Sequence, residues 1–166
     1  GVEVVSGSLG HGLSIGAGIS LANKINNNKS FNYVLLGDGE CYEGSIWEAA
    51  MFANHNNLNN LVAIVDRNNL AVLNKTENII KLEPFADKWR SFGWNVIIVD
   101  GHNIDSLCNK LKKIKNDNKN KKPTVLIANT IKGKGASFME SQIKWHHGVP
   151  SKENFIQFKK ELNYGK

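Results

Sequence analysis

Short apolar runs alternate with helical patterns along this chain. Small and apolar residues recur at helical spacing over residues 9–24, and Asn26-Asn27-Asn28 follows as a stop and loop signal. Tyr33-Val34-Leu35-Leu36 is a short apolar run and predicts a buried strand. Residues 43–56 place Ile46, Trp47, Ala50, Met51 and Ala53 in a helical pattern. Residues 61–65 are apolar and partly β-branched, a second strand. A helix is expected over 84–92, with Pro84 near its first turn. A third strand follows at 95–99, a helix at 104–115, and a fourth strand at 124–128 after Pro123. A last helix is expected over 150–162, with Ser151 as its N-cap. Strands that alternate with helices in this way form parallel βαβ units. The predicted fold class is therefore α/β, a doubly wound, mostly parallel sheet with helices on both faces.

Composition narrows the picture only slightly. At 166 residues the chain is expected to form a single domain, 1–166, with a real core. Hydrophobic content of 41% with 22% charged residues excludes wholesale disorder. The net charge is +6, and much of the excess lies at 110–122. There Leu107, Leu111 and Ile114 fall at i, i+4 and i+7, so the stretch predicts one buried stripe under a solvated lysine face. No aromatics interleave with the lysines, so no nucleic-acid partner is expected. Cys41 and Cys108 have no metal-type spacing, which fits a reducing cytoplasm. No membrane span is expected, because no apolar segment reaches the length a membrane helix needs. The first residue is Gly1, not Met, so a fragment or a processed product, incomplete at its amino terminus, is expected.

Candidate chemistry gathers where the strands end. In doubly wound sheets ligands sit at the carboxyl ends of the strands. Gly37-Asp38-Gly39, Asp66-Arg67-Asn68 and Thr130-Ile131-Lys132-Gly133 all fall at that edge. Gly37 and Gly39 are expected to let the backbone turn sharply and to let a bulky anion approach. The helix after them is expected to aim its amino end at the same place. Mg²⁺ takes about six oxygens near 2.1 Å, often one or two from protein and the rest from phosphate and water. Asp38, the Asn68 side-chain oxygen and the Leu70 main-chain oxygen can supply three, and a diphosphate and a water the others. Alone, Asp38 reads as a turn residue and Asn68 as a loop cap. Together, thirty residues apart on successive strand ends, they favour a shared cation. Gly10-His11-Gly12 with Gly16 also suggests a dinucleotide fingerprint, but the spacing departs from G-x-G-x-x-G. Gly16 and Gly18 are expected to serve close helix packing.

These residues resemble the transketolase family, most closely the amino-terminal, thiamine diphosphate-binding subunit of split transketolases. Gly37-Asp38-Gly39 followed by Asn68 is similar to the thiamine diphosphate signature. Gly7-Ser8-Leu9-Gly10-His11-Gly12 resembles the family's G-[SP]-L-G-[QH]-G loop, Asp66-Arg67-Asn68-Asn69-Leu70 its D-x-N-x-[IL] segment, and His147-Gly148-Val149-Pro150 its late H-G-x-P segment. Glu43-Gly44 and Glu48-Ala49 fall where the family has EG and EA pairs. The resemblance implies thiamine diphosphate and Mg²⁺ as cofactors, with Ca²⁺ or Mn²⁺ as substitutes. It implies Asp38, Asn68 and the Leu70 carbonyl as metal ligands. It implies Gly7, Ser8, Leu9, Gly37, Gly39, Asn68 and His147 as cofactor contacts, and His147 and Glu43 as catalytic residues. Glu43 and Glu48 are implied in a buried acid cluster at a dimer interface, with a solvated helix face as the alternative. Trp47 is expected in the core or interface, and His146 to pack.

The implied activity is transfer of a two-carbon ketol unit between sugar phosphates of the pentose phosphate pathway. The activating glutamate comes from a pyrimidine-binding subunit or domain that this stretch lacks, so a homodimer or heterotetramer is expected. The alternatives are a 1-deoxy-xylulose-5-phosphate synthase, a 2-oxo-acid dehydrogenase, or a non-catalytic truncated remnant.

Overall fold

The computed structural model describes residues 1–116 and 120–162. Four strands, β1 (Asn32–Gly37), β2 (Leu61–Arg67), β3 (Asn95–Asp100) and β4 (Thr124–Asn129), form one sheet. Their order is β1-β2-β4-β3 and every pairing is parallel. The helices are α1 (Gly12–Ile25), α2 (Gly44–His55), a single turn α3 (Thr76–Ile79), α4 (Phe85–Ser91), α5 (Ile104–Asn116) and α6 (Lys152–Glu161).

Strand register divides the side chains between two faces. Val34 and Leu36 align with Ala63 and Val65, and these with Val125 and Ile127. They form one core with Leu13 and Ala17 of α1, Ile46, Ala50 and Ala53 of α2, and Phe85 and Trp89 of α4. Trp47 packs into it, 5.2 Å from the Trp89 ring and stacked on Phe92 at 5.3 Å. On the other face Val62, Leu126, Ala128 and Val99 meet Leu107, Leu111 and Ile114 of α5. The predicted stripe on α5 is thus present, and Lys110, Lys112, Lys113 and Lys115 face solvent. Residues 117–119, part of the predicted lysine run, lie outside the described residues. Helix placement follows from topology. The steps from β1 to β2 and from β2 to β3 run in one direction across the sheet, and the step from β3 to β4 runs back. Right-handed crossovers therefore put α2 and α4 on one face and α5 on the other.

The structure amends several expectations. Helix α1 starts at Gly12 rather than Leu9, because Gly10 takes a left-handed φ of 83° and is bonded to Glu40 and Ser45. Gly16 does pack closely, since an added Cβ would lie 2.4 Å from Val34 Cγ2. Gly18 does not: it is exposed and nothing approaches within 4 Å, because it sits on the solvent side of α1. Ser151 caps α6 as predicted, in a reciprocal capping box with Asn154. Among the described residues no helix is long and apolar enough to cross a membrane.

Candidate functional site

All four strands run the same way, so Asp38, Asn68, Gly101 and Thr130 lie along one edge of the sheet. Gly37 aligns with Asp66, and the Asp38 amide donates to the Asp66 carbonyl at 3.2 Å. This puts Asp38 beside the end of β2. The Asp38 side chain is buried, and three donors reach it. The Gly39 amide donates to Oδ1 at 2.8 Å. The Asn69 amide donates to Oδ2 at 2.7 Å, and Arg67 Nη1 to the same oxygen at 3.2 Å. Burial raises the Asp38 carboxyl above the ordinary aspartate value, against the pull of the Asn69 amide, the Arg67 guanidinium and the Gly39 amide.

Gly37 and Gly39 work differently from expectation. Among the described glycines the left-handed ones are Gly10, Gly93, Gly133 and Gly135. Asp38 itself is helical, at φ −65 and ψ −39. The chain turns there by a 3-10 segment, Gly39–Tyr42, capped by the Asp38 carboxylate. This segment stands between Asp38 and α2, which starts at Gly44, within one residue of its predicted start. A Cβ at Gly37 would come no nearer than 4.0 Å to Glu40, whereas one at Gly39 would press on Ala71 Cβ at 3.3 Å. Gly39 thus has the tighter requirement, against the connection that follows β2.

That connection holds the remaining predicted ligands. The Asn68 side-chain oxygen accepts from the Leu70 amide at 2.9 Å. Leu70 and Lys75 form an antiparallel bridge, flanked by bonds from Ala71 N to Asn74 O at 2.9 Å and from Thr76 N to Asn69 O at 3.0 Å. Flanking bonds of this kind mark a pair that does not bond to each other, so the Leu70 N–H and C=O turn away from Lys75. They turn toward the side on which Asn68 lies. Asn69, the other member of the Asn pair, is exposed, takes a left-handed φ of 62° and offers its amide to Asp38. It therefore serves the edge through its backbone.

Two residues with no role in the sequence reading organise this edge. Glu40 accepts from the Gly10 amide at 3.0 Å through Oε1 and from the Gly37 amide at 3.1 Å through Oε2. Ser45 Oγ donates to the Gly10 carbonyl at 2.9 Å. Gly10 is thereby held at φ +83, with Glu43 Cβ 2.7 Å from where its own Cβ would stand. The second residue is Arg67, only 4% exposed. It donates to Asp38 and Thr76 through Nη1 and to Glu77 and Glu83 through Nη2. Burial works against its charge, and the Glu83 and Glu77 carboxylates more than offset that, so its pKa rises. Its signal in the sequence is a cation at the end of β2, directly after the apolar run 61–65 and Asp66. Glu40 carries a weaker one, an acid directly after Gly39.

The other predicted site residues stand apart. Gly7, Ser8 and Leu9 are exposed, and Ser8 bonds locally to Ser6. Glu43 and Glu48 are exposed in this single chain. His147 is exposed, with His146 edge-on at 4.7 Å. Burial, then Lys132 and His147, hold the His146 pKa below its ordinary value, so these three side chains share one neighbourhood. Among the described residues none of the three bonds to Asp38 or Asn68. At the same edge Thr130 donates to Asp66, and His102 Nε2 accepts from the Ile131 amide at 2.8 Å. Burial pushes the Cys41 thiol up, so it is inert as a nucleophile.

The family described as "Transketolase, thiamine diphosphate binding domain" matches residues 1–165. This chain belongs to that family. The domain is 47% identical over 163 residues to an apulose-4-phosphate transketolase subunit of Phocaeicola vulgatus, covering 98% of this chain and 57% of that one. It is 43% identical over 147 residues to a 6-deoxy-6-sulfo-D-fructose transketolase subunit of a Clostridium species, covering 89% of this chain and 53% of that one. Its fold matches the transketolase of Campylobacter jejuni with a TM-score of 0.88 at 29% identity, covering 99% of this chain and 26% of that one. The transketolase-family domain thus spans about half the length of the subunit relatives it matches.

The donor set fits a hard cation that carries a diphosphate. A carboxylate offers about four acceptor positions, and the three donors on Asp38 leave one of them on Oδ1. The Asn68 oxygen accepts one bond, and the Leu70 carbonyl faces the same side. These are oxygen donors of the kind Mg²⁺ takes. No three His, Cys, Asp or Glu side chains gather into a metal cluster among the described residues. A cation here would therefore need oxygens from its ligand, as a diphosphate supplies.

Proposed function

We propose that this chain supplies the cation and diphosphate half of a transketolase-like site, transferring a two-carbon ketol unit between sugar phosphates. The observation that carries the reading is the Asp38 carboxylate, buried, tied through Oδ2 to the Asn69 amide and Arg67, with the Gly39 amide as the one protein donor to Oδ1 among the described residues. Asp38, Asn68 and the Leu70 carbonyl hold Mg²⁺, for which Ca²⁺ or Mn²⁺ can substitute. Gly37 and Gly39 border the diphosphate, and Gly7, Ser8 and Leu9 lie against the rest of the cofactor. Thiamine diphosphate, when bound, supplies the carbon centre that carries the two-carbon unit.

The protein's own contribution is electrostatic and positional. Asp38 and Asn68 neutralise and orient the cation. The Glu40 bonds fix the Gly10 loop against the Gly37 turn, so the two cofactor-facing segments keep one spacing. His147, exposed here, faces substrate and diphosphate in the assembled enzyme, where it holds or moves a proton at a ring nitrogen. Glu43 closes the site at the interface with a pyrimidine-binding subunit or domain, which brings the activating glutamate. The assembly is a homodimer or a heterotetramer that acts in the cytoplasm, and its substrates are those of pentose phosphate metabolism.

Calorimetry of Mg²⁺ and thiamine diphosphate binding to the assembled enzyme tests this reading. Asp38→Ala is expected to abolish metal-dependent cofactor binding. Unchanged affinity in that variant would remove Asp38 from the ligand set.

A further inference from the structure

We infer that Arg67 is a positioning residue, coupling the Asp38 carboxylate to the connection between β2 and α4 so that cation binding and the order of residues 71–83 rise and fall together. The inference rests on the reading above, in which Asp38 takes the cation.

The guanidinium is a fork whose two ends serve different parts of the chain. Nη1 reaches Asp38 Oδ2 at 3.2 Å and Thr76 Oγ1 at 3.0 Å. Nη2 reaches Glu77 Oε1 at 3.2 Å and Glu83 Oε1 at 2.9 Å. The plane lies over the Phe85 ring, 5.2 Å from its centroid. The two glutamates pass the constraint onward. Glu77 accepts from the Leu82 amide at 3.1 Å and from the Glu83 amide at 3.4 Å. Glu83 accepts from the Phe85 amide at 2.7 Å. An unbroken run of bonds therefore leads from the start of α4, through Arg67, to the carboxylate at the tip of β1. The same connection begins with Leu70, whose carbonyl belongs to the ligand set, and carries Ala71, which packs against Gly39. One guanidinium among three carboxylates leaves two formal negative charges, the amount a divalent cation brings.

Arg67 could act on the cation in two opposed ways. As a point charge beside a ligand oxygen it repels the cation, and its removal would tighten binding. As the anchor of Asp38 and of the 71–83 connection it holds the ligands in place, and its removal would loosen binding. Glu77 and Glu83 sit on the guanidinium and cancel most of its outward field, so the repulsion is small. Outer-shell partners of metal ligands are worth about 10–100-fold in affinity. Anchoring wins.

The test is a Mn²⁺ titration, followed by electron paramagnetic resonance, of the full-length enzyme assembled with its pyrimidine-binding partner and thiamine diphosphate. Arg67→Met and Arg67→Lys are both expected to weaken Mn²⁺ binding about tenfold or more and to broaden the signal of the bound ion. Glu83→Gln, which does not touch Asp38, is expected to weaken it severalfold through Arg67. Tighter binding in Arg67→Met, or parental affinity in Arg67→Lys, would overturn the proposal. Where Arg67→Met does not fold, Arg67→Lys and Glu83→Gln decide. A parent enzyme that binds no Mn²⁺ sinks the reading of Asp38 itself, whereas a binding parent with indifferent variants sinks only the role of Arg67.

Discussion

The tip of β1 and the segment after β4 lie at the same sheet edge but are built differently. At the tip, Asp38, Arg67, Asn69, Glu40 and Gly10 are joined by hydrogen bonds between stretches far apart in the chain. Beyond β4, residues 131–150 carry Lys132, His146 and His147 on a largely exposed segment, which is tied to the rest of the fold through Ile131 to His102 and Ser137 to Glu161 and is held within itself by Trp145. That ring packs on Phe138 at 5.4 Å and donates to the Phe138 carbonyl at 2.9 Å. The first region is complete within one chain because a buried carboxylate has to find donors at once, or its desolvation would cost several kcal/mol. The second holds groups that water already satisfies, so the fold places no such demand on them. The Asp38 edge is tied together by long-range bonds within the chain, and the segment that carries the histidines is largely exposed.

Substitutions can break this contrast. Arg67→Ala is expected to produce the largest loss of stability, about 3 kcal/mol, because it strips a buried charge of its partner. Urea unfolding followed by tryptophan fluorescence measures it. His147→Ala is expected to stay within about 0.5 kcal/mol of the parent, yet to lower turnover of the assembled enzyme about a hundredfold. A destabilised His147→Ala would show that the outer segment is as firmly tied as the inner one. Gly10→Ala sharpens the boundary of the tied region. The left-handed φ and the approach of Ser45 Oγ to 2.5 Å from an added Cβ predict a cost of about 2 kcal/mol, read in the same unfolding assay.

The smallest expected effect is a pH response on the outer side. Glu161 of α6 accepts from the Ser137 hydroxyl and amide, and from Gln157. The Ser137 hydroxyl bond, then the others, hold its pKa below the ordinary value. A carboxyl lowered on folding stabilises the fold above its unfolded pKa, and that contribution fades as pH falls through the folded one. The protection factors of α6 amides, that is, exchange rates relative to the unstructured rate at the same pH, are therefore expected to be constant from neutrality down to mildly acidic pH and to fall below the ordinary glutamate value of 4.5. Glu161→Gln should reproduce the lower protection at neutral pH, and no change in that variant would remove Glu161 as the anchor of α6.

The periodicity of apolar residues was enough to place every strand and the longer helices within a few residues. Burying an apolar stripe is the main driving force for such elements, and it is written directly into spacing. The stretch from Gly37 to Leu70 likewise pointed to one edge of the sheet, since strand ends in a parallel sheet share one side wherever the sequence puts them. Composition and spacing could not show that Asp38 leans on Arg67, that Glu40 clamps Gly10 to Gly37, or that Gly18, unlike Gly16, meets nothing. Those facts depend on which strands become neighbours and on where a side chain finds a donor across 29 or more residues of chain. Local pattern specifies the elements, because each residue's exposure follows its own helix or strand. The partners of a buried charge are chosen only when the whole sheet closes around it.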